Sequence, residues 1–331
     1  MQGSYNAFES GQVRPLALNA DKTRLYAVNT PDNRLEIFDV TQAAPRLLKS
    51  VPVGLEPVAV SLRNDGEAWV VNTLSDSVSV VDVAAPVPYV KRTLLVGDEP
   101  QDIVFAGPGK RRAFVTTAHR GQNSPSDLSM LTPSIGRADV WIYDAPSVDQ
   151  AQGAAAPLKV LTLFGMPARG LAVSPDGGTV YAAIYKSGNQ STVVGPNTLL
   201  LGPNSTKYGK PGLKTDASGL FGNLDGKWAP NTGVIVQFNG TDWVDSYGTK
   251  WNDYVNFKLP DKDVFAIDAN AADPVVKADA AHVGTSLFNI AVNPVSGTLY
   301  VSNLEAKNLN RFEGDDRTDG KLSVNGRFVQ N

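Results

Sequence analysis

The sequence predicts an all-β fold built from repeated, four-stranded antiparallel units. Short runs of β-branched and aromatic residues alternate with Gly, Pro, Asn and Asp turn signals, and the same order of runs returns after 42 to 43 residues. Each repeat holds four such runs. Four strands in about 43 residues are typical of one blade of a β-propeller. We therefore expect a β-propeller with about four blades and part of a fifth in this chain.

The first two repeats define the pattern, and they begin near residues 15 and 57. Each has an inner strand after a proline, a second strand ending in asparagine and a third ending in aspartate. A further run ending in Val-Gly, at 48–54 and 93–97, supplies the fourth strand. The landmark residues are Asn29 and Asp39 in the first repeat, and Asn72 and Asp82 in the second.

The third, fourth and fifth repeats begin near residues 100, 167 and 286, and two of them are longer than the pattern requires. Insertions of about 118–138 and 186–262 separate their second and third strands. Those loops share a face with the blade-to-blade connections, so we expect both insertions over one end of the channel. Loops of this length are usually functional or disordered. We predict a flexible lid at 189–231 and a hairpin from strands at 234–238 and 254–257.

The end of the chain also departs from the pattern. The fifth repeat lacks its third strand and its aspartate, and the chain closes with residues 321–331. An open propeller leaves strand edges unpaired. We therefore expect one propeller domain over 1–331 that is truncated, with the missing blades supplied by the rest of a parent chain or by another subunit.

Several segments resemble the YVTN-type β-propeller repeat. They are Tyr-Ala-Val-Asn at 26–29, Tyr-Val-Ser-Asn at 300–303, Ser-Pro-Asp-Gly at 174–177 and the Val-Gly-x-x-Pro junctions at 53–57 and 96–100. The resemblance implies a seven-bladed parent, with this chain similar to the N-terminal part of a larger bacterial secreted or surface protein. It therefore implies a periplasmic or extracellular location. It specifies a fold but no activity, because propellers carry many unrelated functions.

Composition and charge exclude several classes of protein. A net charge of −3 offers no basic surplus for nucleic acid. Without cysteine and with two histidines, the chain predicts no thiolate metal site, no covalent haem and no cofactor. No apolar run is long enough to span a membrane, and the first residues lack the features of a signal peptide.

Recurring residues have structural interpretations. The aspartates after the third strands are expected to cap turns, and the asparagines after the second strands to bond to turn backbone. Aromatic residues at one position of each repeat are expected to pack between blades. They are Tyr26, Trp69, Phe114, Tyr181 and Tyr300.

The candidate site consists of polar residues that break the repeat on the predicted loop face. His119 and Arg120 follow the second strand of the third repeat, and Lys186 follows that of the fourth. The remaining candidates lie at blade junctions or at the end of the third-repeat insertion: Glu56, Glu99, Arg137, Asp139 and Arg169. Their convergence would form a polar pocket at the channel mouth.

Two functions remain open. The first is a non-enzymatic binding or scaffold propeller of an exported protein, which recognises a protein or small molecule on this face and has no catalytic residues. The alternative is a propeller-type lactonase or hydrolase, with His119, Glu56, Glu99 and Arg169 as base and electrostatic stabilisers. The sequence lacks G-x-S-x-G and other common catalytic motifs.

Overall fold

A computed structural model describes residues 10–121, 135–194, 234–245, 248–255 and 261–304, together with short strands at 323–324 and 327–328. The chain divides into two compact units. The first unit comprises 1–187 and 262–305, and the second comprises 188–261 and 306–331.

The first unit contains four sheets of four antiparallel strands, each in sequential order. Blade 1 consists of β1 (Leu16–Leu18), β2 (Arg24–Asn29), β3 (Arg34–Asp39) and β4 (Arg46–Pro52). Blade 2 consists of β5 (Pro57–Asn64), β6 (Glu67–Asn72), β7 (Ser77–Asp82) and β8 (Tyr89–Leu95). Blade 3 consists of β9 (Ile103–Ala106), β10 (Arg112–Ala118), β11 (Ala138–Asp144) and β12 (Lys159–Leu163).

Blade 4 has a long interruption between its second and third strands. It consists of β13 (Met166–Val173), β14 (Thr179–Lys186), β18 (Val264–Asp268) and β19 (Val275–Ala280). The fifth sheet of this unit has two strands among the described residues, β20 (Ser286–Val292) and β21 (Leu299–Leu304). The predicted fold of four-stranded blades, with part of a fifth, is therefore confirmed.

Two helical elements interrupt blade 3. A 3₁₀ turn at Pro108–Lys110 separates its first two strands, and helix α1 (Ala145–Gln150) follows β11. Asp144 begins α1, since its carboxylate accepts a hydrogen bond from the Ser147 amide at 3.3 Å. Such N-caps satisfy one of the amides that the first helical turn leaves unpaired.

The Val-Gly junctions allow neighbouring blades to approach closely. An added Cβ at Gly54 would lie 2.6 Å from the Asn72 amide group, and one at Gly97 would lie 2.4 Å from Thr117 Oγ1. Gly165 meets Ile184 in the same way, and Gly284 meets Asn303. Each junction therefore needs glycine because the second strand of the next blade packs directly on its backbone.

The core lies between successive blades. Separate buried clusters join blade 1 to blade 2, blade 2 to blade 3, blade 3 to blade 4 and blade 4 to the fifth sheet. Trp69 of blade 2, for example, meets Phe105 of blade 3 edge-on at 5.4 Å. Tyr26, Trp69 and Phe114 are fully buried, as predicted, whereas Tyr300 on the fifth sheet is exposed.

The recurring aspartates cap turns, as the sequence predicted. In blade 1, Asp39 accepts hydrogen bonds from the Thr41 amide and hydroxyl. Asp82 and Asp268 each accept two backbone amides, and Asp144 caps α1. The asparagine prediction was wrong for Asn72, whose buried amide donates to side-chain hydroxyls of β7 rather than to turn backbone.

The second unit has its own small sheet and core. It contains β15 (Ser191–Val194), β16 (Val234–Phe238) and β17 (Trp243–Val244) in an antiparallel sheet. A separate hairpin pairs β22 (Ser323–Val324) with β23 (Arg327–Phe328). Trp251 is fully buried in the core of the three-stranded sheet, and its indole N–H donates to Asp245 at 2.9 Å.

The hairpin predicted from the sequence pairs differently. Its first strand is β16, which pairs with β15 and β17, whereas residues 256–257 of the predicted second strand lie outside the described residues. Tyr254 instead ends a 3₁₀ turn, Asn252–Tyr254, and packs its ring against Trp251. The predicted lid at 189–231 lies mostly outside the described residues, apart from its first part, which includes β15.

Candidate functional site

The turns between second and third strands lie on the same face as the blade junctions. Asn33 Oδ1 in the turn of blade 1 accepts the amide of Glu56, and Asp76 Oδ1 in blade 2 accepts that of Glu99, at 2.7 and 2.8 Å. We call this side the junction face. All four of these residues have positive φ, a conformation that costs energy for residues other than glycine.

The two junction glutamates occupy equivalent positions but have different partners. Glu56 Oε2 accepts the hydroxyl of Ser10 at 2.6 Å. Glu99 Oε1 accepts from the guanidinium of Arg120 at 2.6 Å, and both side chains are about half exposed. The structure thus brings Arg120 and Glu99 together, whereas Glu56 is held by the N-terminal segment.

His119 and Asp139 form a buried pair where the second and third strands of blade 3 begin to separate. His119 Nδ1 lies 2.7 Å from Asp139 Oδ2, and both side chains are less than a tenth exposed. Thr162 on β12 donates its hydroxyl to the other carboxylate oxygen of Asp139, at 2.7 Å. An ionised carboxylate only accepts hydrogen bonds, so Asp139 favours the imidazole tautomer with the proton on Nδ1.

Blade 2 has a cluster of neutral polar side chains at the strand positions that correspond to Thr117 and Asp139 in blade 3. Asn72 pairs with Ser77, and Thr117 pairs with Asp139, while Asn72 and Thr117 contact equivalent junction glycines. Asp139 therefore takes the place of Ser77. Blade 3 therefore has a carboxylate where blade 2 has the hydroxyl of Ser77, and His119 stands at the position of Leu74 in blade 2.

A second polar cluster joins the inner strands. The Arg14 guanidinium binds the fully buried Asp102 carboxylate through Nε and Nη2, at 2.8 and 3.0 Å. Arg14 Nη2 also donates to the carbonyl of Leu171 in blade 4. The Asp102 carboxylate raises the pKa of Arg14 above its ordinary value through charge attraction. Sequence analysis missed both residues.

A sequence signal for Asp102 existed in the repeat itself. The strand register aligns Ile103 of blade 3 with Val60 of blade 2 and Leu171 of blade 4. Asp102 therefore occupies the position that Ala59 has in blade 2 and Gly170 has in blade 4. A charged residue where blades 2 and 4 have Ala and Gly breaks the repeat. Arg14 gave no such signal because it lies before the first repeat.

Arg169 lies at the inner strand of blade 4, among aromatic rings. Its guanidinium carbon is 5.6 Å from the Tyr185 ring centroid and 5.9 Å from that of Phe288. Its backbone carbonyl accepts the hydroxyl of Thr116, which in turn accepts the Asp102 amide. The backbone of Arg169 therefore connects to the Arg14 and Asp102 cluster through Thr116, while its side chain lies against the two rings.

The other two predicted residues are placed by their backbones. The Arg137 carbonyl accepts the amide of His119 at 3.1 Å, which closes the base of the blade 3 insertion. Lys186 ends β14 with an exposed side chain and pairs with Met166.

No cluster of three metal-ligating side chains occurs within the described residues. Among the same residues, no helix is long and apolar enough to cross a membrane. What the described part of the junction face offers is a histidine–carboxylate pair and arginines, which suits acid–base and electrostatic chemistry on a small polar substrate.

These blades and their packing define the first unit as a β-propeller. Residues 3–184 match the family model described as lactonase, 7-bladed beta-propeller. The chain therefore belongs to the seven-bladed β-propeller lactonase family. A search of curated proteins found no match.

Solved structures with similar folds are distant in sequence. The chain is similar to the hydrazine synthase of Kuenenia stuttgartiensis, with 17% identity over 91% of this chain and 76% of that one, and a TM-score of 0.44. It is also similar to a putative 6-phosphogluconolactonase from Bacteroides uniformis, with 14% identity over 55% of this chain and 52% of that one, and a TM-score of 0.41. The Cps50 (Swd1) β-propeller domain of Myceliophteria thermophila matches at 10% identity over 87% and 79%, with a TM-score of 0.42.

Proposed function

We propose that this protein hydrolyses a lactone on the junction face of blade 3, with His119 as general base. The observation that carries the proposal is the 2.7 Å contact between His119 Nδ1 and Asp139, supported by Thr162. Membership of the lactonase family supports ester-ring opening as the reaction class.

The reaction follows from the proton positions. His119 Nε2 takes a proton from water as the oxygen attacks the lactone carbonyl, and Asp139 stabilises the resulting imidazolium. The tetrahedral intermediate then expels the ring oxygen, which receives the proton back from Nε2. Water is consumed and one hydroxy acid forms. Arg120, which Glu99 holds on the same face, donates its remaining guanidinium N–H groups to the developing oxyanion.

The experiment is a lactone panel assayed by acid release at constant pH. We expect turnover by the wild-type protein and a loss of about 10²–10⁴-fold in kcat for His119→Ala. His282→Ala is the matched control, since His282 is the other histidine and is exposed on the loop before the fifth sheet. Absence of turnover on every lactone, or equal turnover by His119→Ala, would overturn the proposal.

A second candidate function is recognition of a protein or small molecule through the blade 4 insertion. The observation that favours it is that the second unit has its own sheet and a core containing Trp243 and Trp251, which a simple connecting loop does not need. On this proposal the chain is a binding or scaffold protein, exported as its resemblance to the YVTN repeat implies.

The insertion can be removed without cutting a blade. The amide of Ile184 donates to the Asp263 carbonyl at 2.9 Å, so the ends of β14 and β18 are adjacent and a short turn can join them. A variant with 188–261 replaced by Asn-Gly should keep the blades folded. Loss of partner binding with retained lactone turnover supports this candidate, and retained partner binding would contradict it.

A further inference from the structure

Arg169 has an unusual environment for a partly buried arginine. Its guanidinium is held beside two aromatic rings, which themselves meet edge-on at 5.4 Å. Its Nε is buried and has no hydrogen-bond partner. Within the described residues, no carboxylate lies within ion-pair distance of Arg169. A buried guanidinium N–H without a partner costs free energy.

The nearest acidic group of the cluster is already satisfied. Asp102 Oδ1 accepts from Arg14 Nε and from the Ile103 amide. Its Oδ2 accepts from Arg14 Nη2 and from the Leu171 amide. Arg14 and Asp102 cancel in charge, so the inner-strand cluster has the net positive charge of Arg169.

The cluster lies apart from the His119 pair. Thr116 and Thr117 are neighbours on β10, and their side chains point to opposite faces of the blade. Thr116 contacts the Arg169 carbonyl on the side of blade 4. Thr117 pairs with Asp139 and packs against Gly97, on the side of blade 2.

We infer that Arg169 forms a binding site for an oxyanion, the carboxylate or phosphate of a small ligand, at the inner strand of blade 4. The planar fork of Arg169 suits two oxygen acceptors, and its ring contacts with Tyr185 and Phe288 hold that fork in one orientation. This site is independent of the proposed hydrolysis.

Titration calorimetry on the full chain tests the site with two probes, inorganic phosphate and acetate, at constant ionic strength set with chloride. Saturable binding of phosphate alone identifies a phosphate site, and binding of acetate identifies a carboxylate site. Arg169→Gln should weaken that binding at least about tenfold, because it removes the charge and the fork. His119→Ala should bind as the wild type does, which separates this site from the proposed catalytic one.

Arg111→Gln is the matched control, since Arg111 is an exposed arginine paired with Asp144 outside the cluster. It should bind the anion normally. If Arg169→Gln does not fold, Arg169→Lys replaces it, and its ammonium should still weaken binding because it lacks the planar fork. Failure of both probes to saturate, or unchanged affinity in the folded Arg169 variant, would overturn the inference.

Discussion

Asp102 and Arg14 are 88 residues apart in sequence and form a two-point ion pair, with Asp102 fully buried. Arg14 precedes the inner strand of blade 1, and Asp102 precedes that of blade 3. The same guanidinium reaches the Leu171 carbonyl in blade 4. One side chain thus joins the inner ends of three blades.

Neutralising Asp102 should destabilise the protein. Asp102→Asn leaves Arg14 without its counter-charge, and breaking a buried pair costs on the order of 3 kcal/mol. Denaturant unfolding at pH 7 measures this cost. Arg46→Gln is the control, because its pair with Asp39 is exposed and worth less than about 1 kcal/mol. If both substitutions lower the free energy of unfolding equally, the Arg14–Asp102 pair stabilises the fold no more than an exposed ion pair does.

A methyl group at a blade junction should also be costly. In Gly97→Ala the added Cβ meets Thr117 Oγ1 at 2.4 Å and Trp141 Nε1 at 2.9 Å. Overpacking of this kind costs about 1–3 kcal/mol. Gly153→Ala is the control, because nothing lies within 4 Å of its Cβ position. A Gly97→Ala variant as stable as the control would contradict the close packing of blades 2 and 3.

Asp144 should contribute to acid unfolding. Hydrogen bonds from Arg111 lower the pKa of Asp144 from 3.8 to about 2. Because the folded-state pKa is depressed, its stabilisation is present above pH 3.8 and is lost as the pH falls from 3.8 through about 2. Thermal unfolding across this window should show a smaller drop in Tm for Asp144→Asn than for the wild type. If the Tm of the variant and of the wild type fall equally across this pH window, Asp144 does not contribute to acid unfolding.

The sequence predicted the fold well because repeats make the strand pattern visible several times over. Three features recur along the chain: the Val-Gly junctions, the aspartate caps and the four strands of each blade. An assignment made in one repeat can therefore be compared with the same position in the others. The second unit has no such repetition. There the partner of β16 depended on the packing of Trp243 and Trp251, which periodicity in a single segment does not reveal.

The candidate site was predicted only in part, for a physical reason. His119 and Asp139 were singled out because they interrupt the repeat beside an insertion, and strand register brings them together. Their contact with Thr162 depends on the pairing of β11 with β12 and could not be read from spacing. Arg14 and Asp102 meet only once the blades are arranged around a common axis.

The most direct test of the central claim is a double-mutant cycle on kcat for lactone hydrolysis, with His119→Ala, Asp139→Asn and the two combined. If Asp139 acts through His119, each single change lowers kcat strongly, and the double variant is no slower than His119→Ala alone. Equal Tm values across the set would show that the fold is retained. Losses that multiply in the double variant, or full activity in Asp139→Asn, would contradict a His119–Asp139 base.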